Sequence, residues 1–170
     1  LHADTAADHD RYRTLLARRL PIVMVNGYVP GLAAPFVSCD EREAAELAVA
    51  HLVALGHRRI GLITGPDRFS PVQRKLAGYR QAMRRLLATT DADLDVLAEL
   101  SLFGVEGGEA AAARLLERGV TGIVCGSDLM ALGAIRAARQ RGHRVPQDVS
   151  VVGFDDSPLM AFTDPPLTTM

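Results

Sequence analysis

Short, wholly apolar runs alternate along this chain with longer runs in which apolar residues recur at helical spacing. Residues 4–19 carry Leu15 and Leu16 among charges and predict a modest helix. Pro21-Ile22-Val23-Met24-Val25 is an apolar run with β-branched residues, stopped by Asn26-Gly27, and predicts a strand. Residues 27–35 hold two Gly and two Pro and predict a loop, and Phe36-Val37-Ser38-Cys39 predicts a second short strand. Asp40 followed by Glu43 resembles a capping box. Behind it Ala44, Leu47, Ala48, His51, Leu52 and Leu55 recur at helical spacing until Gly56, a natural stop.

The unit then repeats. Ile60–Thr64 predicts a buried strand, and Ser70-Pro71 an N-cap with proline behind it, opening a helix to about Leu87. Val96–Leu102 predicts a strand, Val105–Arg118 a helix closed by Gly119, and Val120–Cys125 another strand. Ser127–Gln140 predicts a helix stopped by Gly142, and Val149–Phe154 a strand running into Asp155-Asp156. Residues 155–166 predict a loop, and Leu167–Met170 the start of a further strand. Strands apolar on both faces, separated by helices, imply parallel βαβ units with right-handed crossovers. The expected fold class is therefore α/β, an open, doubly wound parallel sheet. Such sheets bind ligands at the carboxyl ends of their strands. That rule selects Thr64–Arg68, Phe103–Val105, Gly126–Leu129 and Asp155–Ser157.

Composition narrows the function classes. At 170 residues, 48% hydrophobic and 23% charged, the chain is an ordinary globular domain or slightly more. With 19 Lys plus Arg against 20 Asp plus Glu, its net charge of -1 matches a phosphate backbone poorly. Two distant cysteines, Cys39 and Cys125, form no disulfide framework. No apolar run is long enough to span a membrane, and no basic stretch followed by an apolar one opens the chain. Leu1 in place of an initiator Met suggests a start inside a longer chain.

Most enzyme chemistry is absent. There is no G-x-G-x-x-G after a strand, no Walker A motif and no G-x-S-x-G elbow. Gly104-Val105-Glu106-Gly107-Gly108 is glycine-rich, but a carboxylate sits inside it. Ser127 at a strand-to-helix turn reads better as a helix cap than as a nucleophile. The five histidines show no metal-ligand spacing. Asp155 and Asp156 stand at a strand's carboxyl end, where neighbouring side chains diverge. One of them can accept from a ligand's hydroxyls while the other packs or caps, and a purely structural role for Asp155 fits equally well.

One long set of segments is distinctive. It begins with His51-Leu52-Val53-Ala54-Leu55-Gly56-His57-Arg58-Arg59-Ile60, Thr64-Gly65-Pro66 and Gly78-Tyr79-Arg80. Ser127-Asp128-Leu129-Met130-Ala131-Leu132-Gly133-Ala134, Val145–Asp156 and Pro165-Pro166-Leu167-Thr168-Thr169 follow. In order and spacing these resemble the effector-binding core of LacI/GalR-type (lactose-repressor-like) transcriptional regulators. The resemblance implies a periplasmic-binding-protein-like type I fold, with one complete subdomain and part of the other. Residues 1–40 would belong to the N-terminal subdomain, 41–163 would form the C-terminal subdomain, and 164–170 would be the return crossover. It implies no enzyme activity, no cofactor and no metal site. It implies instead a cytoplasmic homodimer that binds a small molecule, a sugar or related metabolite, between its subdomains. Operator DNA would be bound through a helix-turn-helix headpiece not in this sequence. The runner-up is a periplasmic sugar-binding protein, which shares the fold.

By position, the resemblance assigns Asp155 to the effector's hydroxyls or amines. Ser127-Asp128 matches the family's Asn-Asp pair, with a shorter reach at Ser127. The family's arginine ahead of Gly-Tyr is replaced by Lys75, the chain's single lysine, with Arg74 just before it. One residue on a helix turns a side chain by ~100°, so the two cannot both face the ligand. Phe69 and Phe103 are expected as pocket walls or as ordinary core. Leu132 and Ile135 are expected at a two-fold contact or packed on the sheet.

Overall fold

The computed structural model describes residues 6–26 and 31–170. The first residues of the predicted N-terminal helix and residues 27–30 of the predicted loop lie outside the described residues. In chain order the elements are α1 (Ala6–Ala17), β1 (Met24–Val25), β2 (Phe36–Val37), α2 (Glu41–Ala54), β3 (Ile60–Thr64), α3 (Ser70–Leu87), α4 (Asp91–Leu97) and β4 (Ala98–Leu100). They continue with α5 (Val105–Glu117), β5 (Gly122–Cys125), α6 (Asp128–Gln140), β6 (Ser150–Gly153), a 3-10 turn (Pro158–Phe162) and β7 (Thr168–Thr169).

Five strands form one parallel sheet in the order β4-β3-β5-β6-β7, while β1 and β2 pair in a small parallel sheet of their own. Every residue of β3, β5 and β6 is buried, as strands covered on both faces must be. Two glycines show which helices cover which face. A Cβ on Gly122 would touch Leu52 of α2, and a Cβ on Gly61 would press on Leu115 of α5. Gly122 is paired with Ile60 and Gly61 with Ile123, so the two glycines point to opposite faces. The sheet is therefore sandwiched, with α2 on one side and α5 on the other. One core runs through all three layers, and Tyr79, wholly buried, donates its hydroxyl to the Ile60 carbonyl at 2.8 Å. A separate small cluster gathers Tyr12 and Met24 beneath β1 and β2.

Local chemistry sets most boundaries. The Asp40 carboxylate accepts the Arg42 and Glu43 N–H groups at 3.1 and 3.0 Å and starts α2. Ser127 Oγ accepts the Met130 N–H at 3.3 Å and starts α6. Gly56, Gly119 and Gly142 follow the C-caps of α2, α5 and α6 with φ of 96°, 74° and 82°. Three expectations fail. Val96 does not open a strand but lies on the outer side of α4, which Thr90 caps through the Asp93 N–H, with Leu94 and Leu97 facing the core. Phe69, not Ser70, stands at the N-cap of α3, with no side-chain cap bond there. The predicted loop at 155–166 contains a 3-10 turn.

α5 and α6 approach backbone to backbone. A Cβ on Gly133 would overlap the Val105 carbonyl oxygen, and one on Gly108 would overlap the Met130 carbonyl oxygen. Helix propensity alone makes Gly133→Ala stabilising by about 1 kcal/mol. The close approach reverses the sign: Gly133→Ala in the intact protein is expected to destabilise by about 1–3 kcal/mol. Thermal unfolding decides, and a raised Tm would contradict this packing.

Candidate functional site

The carboxyl ends of the parallel strands converge on a cavity of about 670 Å³. After β3 the chain turns outward to β4, then crosses back to β5, so the strand order reverses between β3 and β5. That crevice is where open α/β sheets hold ligands. Phe69 follows β3, Phe103 follows β4, Gly126 follows β5, and Phe154 and Asp155 follow β6; all five line the cavity. The first turn of α2 and the inner face of α3 supply its sides, and Asn26, just past β1, joins it to the small sheet.

Asp155 is held in an unusual conformation. Its φ of 111° is one that side-chain-bearing residues rarely adopt, at a cost of about 1–3 kcal/mol. Its N–H donates to the Met170 carbonyl at 3.0 Å. Burial pushes its carboxyl above the ordinary range; Lys75 opposes this, while Asp128 and Glu41 add to it. By surface area Asp155 and Asp156 are both exposed, and Asp156 is engaged through its backbone N–H, which donates to Thr169 Oγ1 at 3.3 Å.

Lys75 is the cation of the site. It is 6% exposed, and its Nζ lies 2.5 Å from Oε2 of Glu41, itself 3% exposed. The ammonium also sits 3.3 Å from the centre of the Phe154 ring, a cation–π contact. The other Glu41 oxygen accepts from the Cys39 thiol at 3.2 Å. Burial and Glu41 hold that thiol above its ordinary pKa, which makes it a poor nucleophile. Phe69 and Phe103 face each other obliquely, with ring centres 6.1 Å apart. Gly65 leaves the space that the Phe103 ring occupies, since a Cβ there would collide with it.

The sequence-selected residues thus divide. Asp155, Lys75, Phe69 and Phe103 share the cavity. Arg74 lies outside it, donating to Ser38 Oγ at 3.3 Å. Ser127 caps α6, and Gly126 reaches the cavity in its place. Asp128 is buried and fully used: its carboxylate accepts the Ser157 N–H at 2.8 Å and the Thr169 hydroxyl at 2.6 Å. It ties the loop after β6 to β7. Ile135 is 6% exposed and part of the core, and Leu132 is half-buried. Among the described residues no three His, Cys, Asp or Glu side chains could hold a metal, and no helix is long and apolar enough to cross a membrane.

Comparison with known proteins agrees with this geometry. Residues 49–170 match the family described as periplasmic binding protein-like domain. An uncharacterized HTH-type transcriptional regulator in the aml 5' region of Streptomyces limosus is 59% identical over the whole chain, which covers 48% of that protein. The HTH-type transcriptional regulator MalR of Streptomyces coelicolor is 57% identical, again over the whole chain and 50% of the relative. The chain belongs to the periplasmic binding protein-like family, as a LacI-type effector-binding domain. A solved LacI-family structure, a sugar-binding transcriptional regulator from Escherichia coli complexed with phosphate, superposes with a TM-score of 0.80. It is 30% identical, over 95% of this chain and 58% of that one. These relatives are named as HTH-type transcriptional regulators, and the chain spans about half the length of the curated relatives it matches.

Within this LacI-type domain, sequence reasoning missed Glu41, Asn26, Cys39 and Phe154 as cavity residues. The signal for Glu41 was present, since the Asp40 cap fixed where α2 begins. What was lacking was the packing of α2 on α3 that brings Glu41 to Lys75. A buried pair that loses one partner leaves an uncompensated charge, so Lys75→Met is expected to cost about 3–5 kcal/mol. Lys75→Met combined with Glu41→Gln is expected to recover most of that loss. Denaturant unfolding of the intact protein measures this cycle, and additive losses would contradict the pairing.

Proposed function

We propose that this chain is the effector-sensing and dimerisation region of a cytoplasmic LacI-type regulator. It binds a small molecule, a sugar or related metabolite, in the cavity at the strand ends. Residues 1–40 are part of one subdomain, 41–163 form the other, and 164–170 are the return connection. The exposed Val25, Phe36 and Val37 of the small sheet support residues 1–40 as one portion of a larger layer. Asn26 and Asp155, on the same cavity from different sheets, support a ligand that sits between subdomains. A ligand touching both biases their relative placement, and so how paired headpieces meet operator DNA. Relatives named as HTH-type regulators favour this reading over a periplasmic transport protein.

The observation that carries the proposal is Asp155, held at a costly φ on the lining of the cavity that Phe69 and Phe103 also line. Its carboxylate accepts the hydroxyls of the effector, and charge-assisted bonds of this kind are worth about 1.5–3 kcal/mol. In calorimetric titrations of the intact protein against a sugar panel, Asp155→Asn is expected to weaken binding about 10- to 150-fold. Asp156→Asn is expected to change little. The carboxyl pKa is raised, and only the ionised form accepts both hydroxyls. Wild-type affinity is therefore expected to fall as pH drops through a range above that of ordinary carboxylates, and the Asn variant to lack that dependence. A folded Asp155→Asn protein with unchanged affinity would remove Asp155 from the site.

Dimerisation is proposed through the end of the domain where α6 begins. The Asp128–Ser157 bond sets the start of α6 beside the 3-10 turn. There Leu129, Leu159 and Phe162, the last 86% exposed, present apolar surface next to the half-buried Leu132. Leu159→Asp and Phe162→Asp are expected to weaken the dimer at least about tenfold in sedimentation. Ile135→Asp is expected to unfold the subunit instead, because it buries a charge. Unchanged sedimentation of both surface variants would rule this face out.

A further inference from the structure

Taking the cavity as the effector site, we infer that Glu41 fixes its charge selectivity: it occupies Lys75 and so closes the cavity to phosphate- or carboxylate-bearing ligands, leaving an uncharged polyhydroxylated effector.

Charge and geometry both support this. Among the described residues the charged side chains lining the cavity are Asp40, Glu41, Glu43, Asp155 and one cation, Lys75, while the exposed Arg68 guanidinium lies 4.6 Å from the centre of the Phe69 ring. Lys75 is already engaged by Glu41 at 2.5 Å and by the face of Phe154 at 3.3 Å. An arriving anion would find its nearest ammonium already paired and would also meet the Asp155 carboxylate. Separating Lys75 from Glu41 to free it would leave a buried carboxylate unpaired, which is strongly unfavourable.

Helix N-termini are the usual second resource for anions on such sheets. At this end the N-terminus of α2 is filled from within, whereas α3, whose first turn also lines the cavity, carries no acidic residue there. Asp40 accepts two N–H groups of the first turn of α2, and Glu41 and Glu43 stand in that same turn. Asp128 occupies the first turn of α6 behind its Ser127 cap, and Glu106 lies in the first turn of α5. At α2 the Asp40 carboxylate takes the place a ligand's phosphate would need. Hydroxyls meet the opposite situation: Asp155 is an acceptor, and Phe69 and Phe103 offer apolar faces to the C–H surface of a sugar ring. Glu41 is thus a specificity-determining residue.

The test uses probes that do not require the effector to be known. The intact wild-type protein, its Glu41→Gln variant and the Lys75→Met/Glu41→Gln double variant are titrated with inorganic phosphate. They are also titrated with the matched pair glucose and glucose 6-phosphate, by thermal shift and calorimetry. Wild type is expected to ignore both anions at millimolar concentration. Glu41→Gln is expected to bind phosphate at least about tenfold more tightly than wild type, because Lys75 is released and one negative charge is gone. The double variant is expected to lose that gain, which a purely structural role for Glu41 would not produce. Wild type binding glucose 6-phosphate as tightly as glucose or more so, or a folded Glu41→Gln protein with no gain for phosphate, would overturn the inference. If Glu41→Gln does not fold, the wild-type titrations with the two anions decide alone. An effector site located elsewhere would show as sugar binding insensitive to Asp155→Asn, an outcome separate from every anion result.

Discussion

The ion pair between Lys75 and Glu41 is the contact on which the cleft depends. It joins the first turn of α2 to the middle of α3, two helices that also meet where Gly78 admits the Arg42 carbonyl. Both partners are buried, so neither is tolerable alone. Their mutual neutralisation lets charged side chains line a cavity whose walls are otherwise largely apolar. It also positions Phe154, whose ring takes the other side of the ammonium. Remove the pair and the roof of the cavity loses both its anchor and its charge balance.

A second tie holds the opposite wall. Asp128, at the start of α6, grips the loop after β6 through Ser157 and the edge strand β7 through Thr169. Asp155 lies within that clamped loop, with its own N–H bonded to Met170. Its φ persists because the backbone on either side is fixed by these bonds. The carboxylate proposed to meet the effector is thereby aimed by a buried carboxylate that touches no ligand. Binding at Asp155 would be felt directly by Met170, which accepts its N–H, and by β7.

The fold was largely legible because the signals were local. Apolar runs such as Ile60–Thr64 and Gly122–Cys125 have one reading when helices separate them, and Asp40, Ser127, Gly56, Gly119 and Gly142 mark helix ends by chemistry that acts within a turn. α4 was misread because Val96 and Leu97 suggest β-structure by composition. The Thr90–Asp93 cap and the spacing of Leu94 and Leu97 outweigh that preference. Of the site, Asp155, Lys75, Phe69 and Phe103 were legible by their place at strand ends or in family-like segments. The choice between Lys75 and Arg74 was not, since it turns on the rotation of α3 against α2. Glu41's place at the start of α2 was legible from the Asp40 cap, but its pairing was not, because its partner lies 34 positions away and pairing at that separation is fixed by tertiary packing alone. Asp128, chosen as a ligand contact, proved to be wholly engaged within the fold.

The most direct measurement is a crystal structure of the intact protein with its effector bound. The account predicts an uncharged ligand with hydroxyl oxygens within hydrogen-bond reach of Asp155 and a ring face against Phe69 or Phe103. In that complex Lys75 Nζ remains on Glu41, as close as it is here. A ligand bound away from Asp155, or Lys75 turned from Glu41 onto a phosphate or carboxylate of the effector, would contradict it.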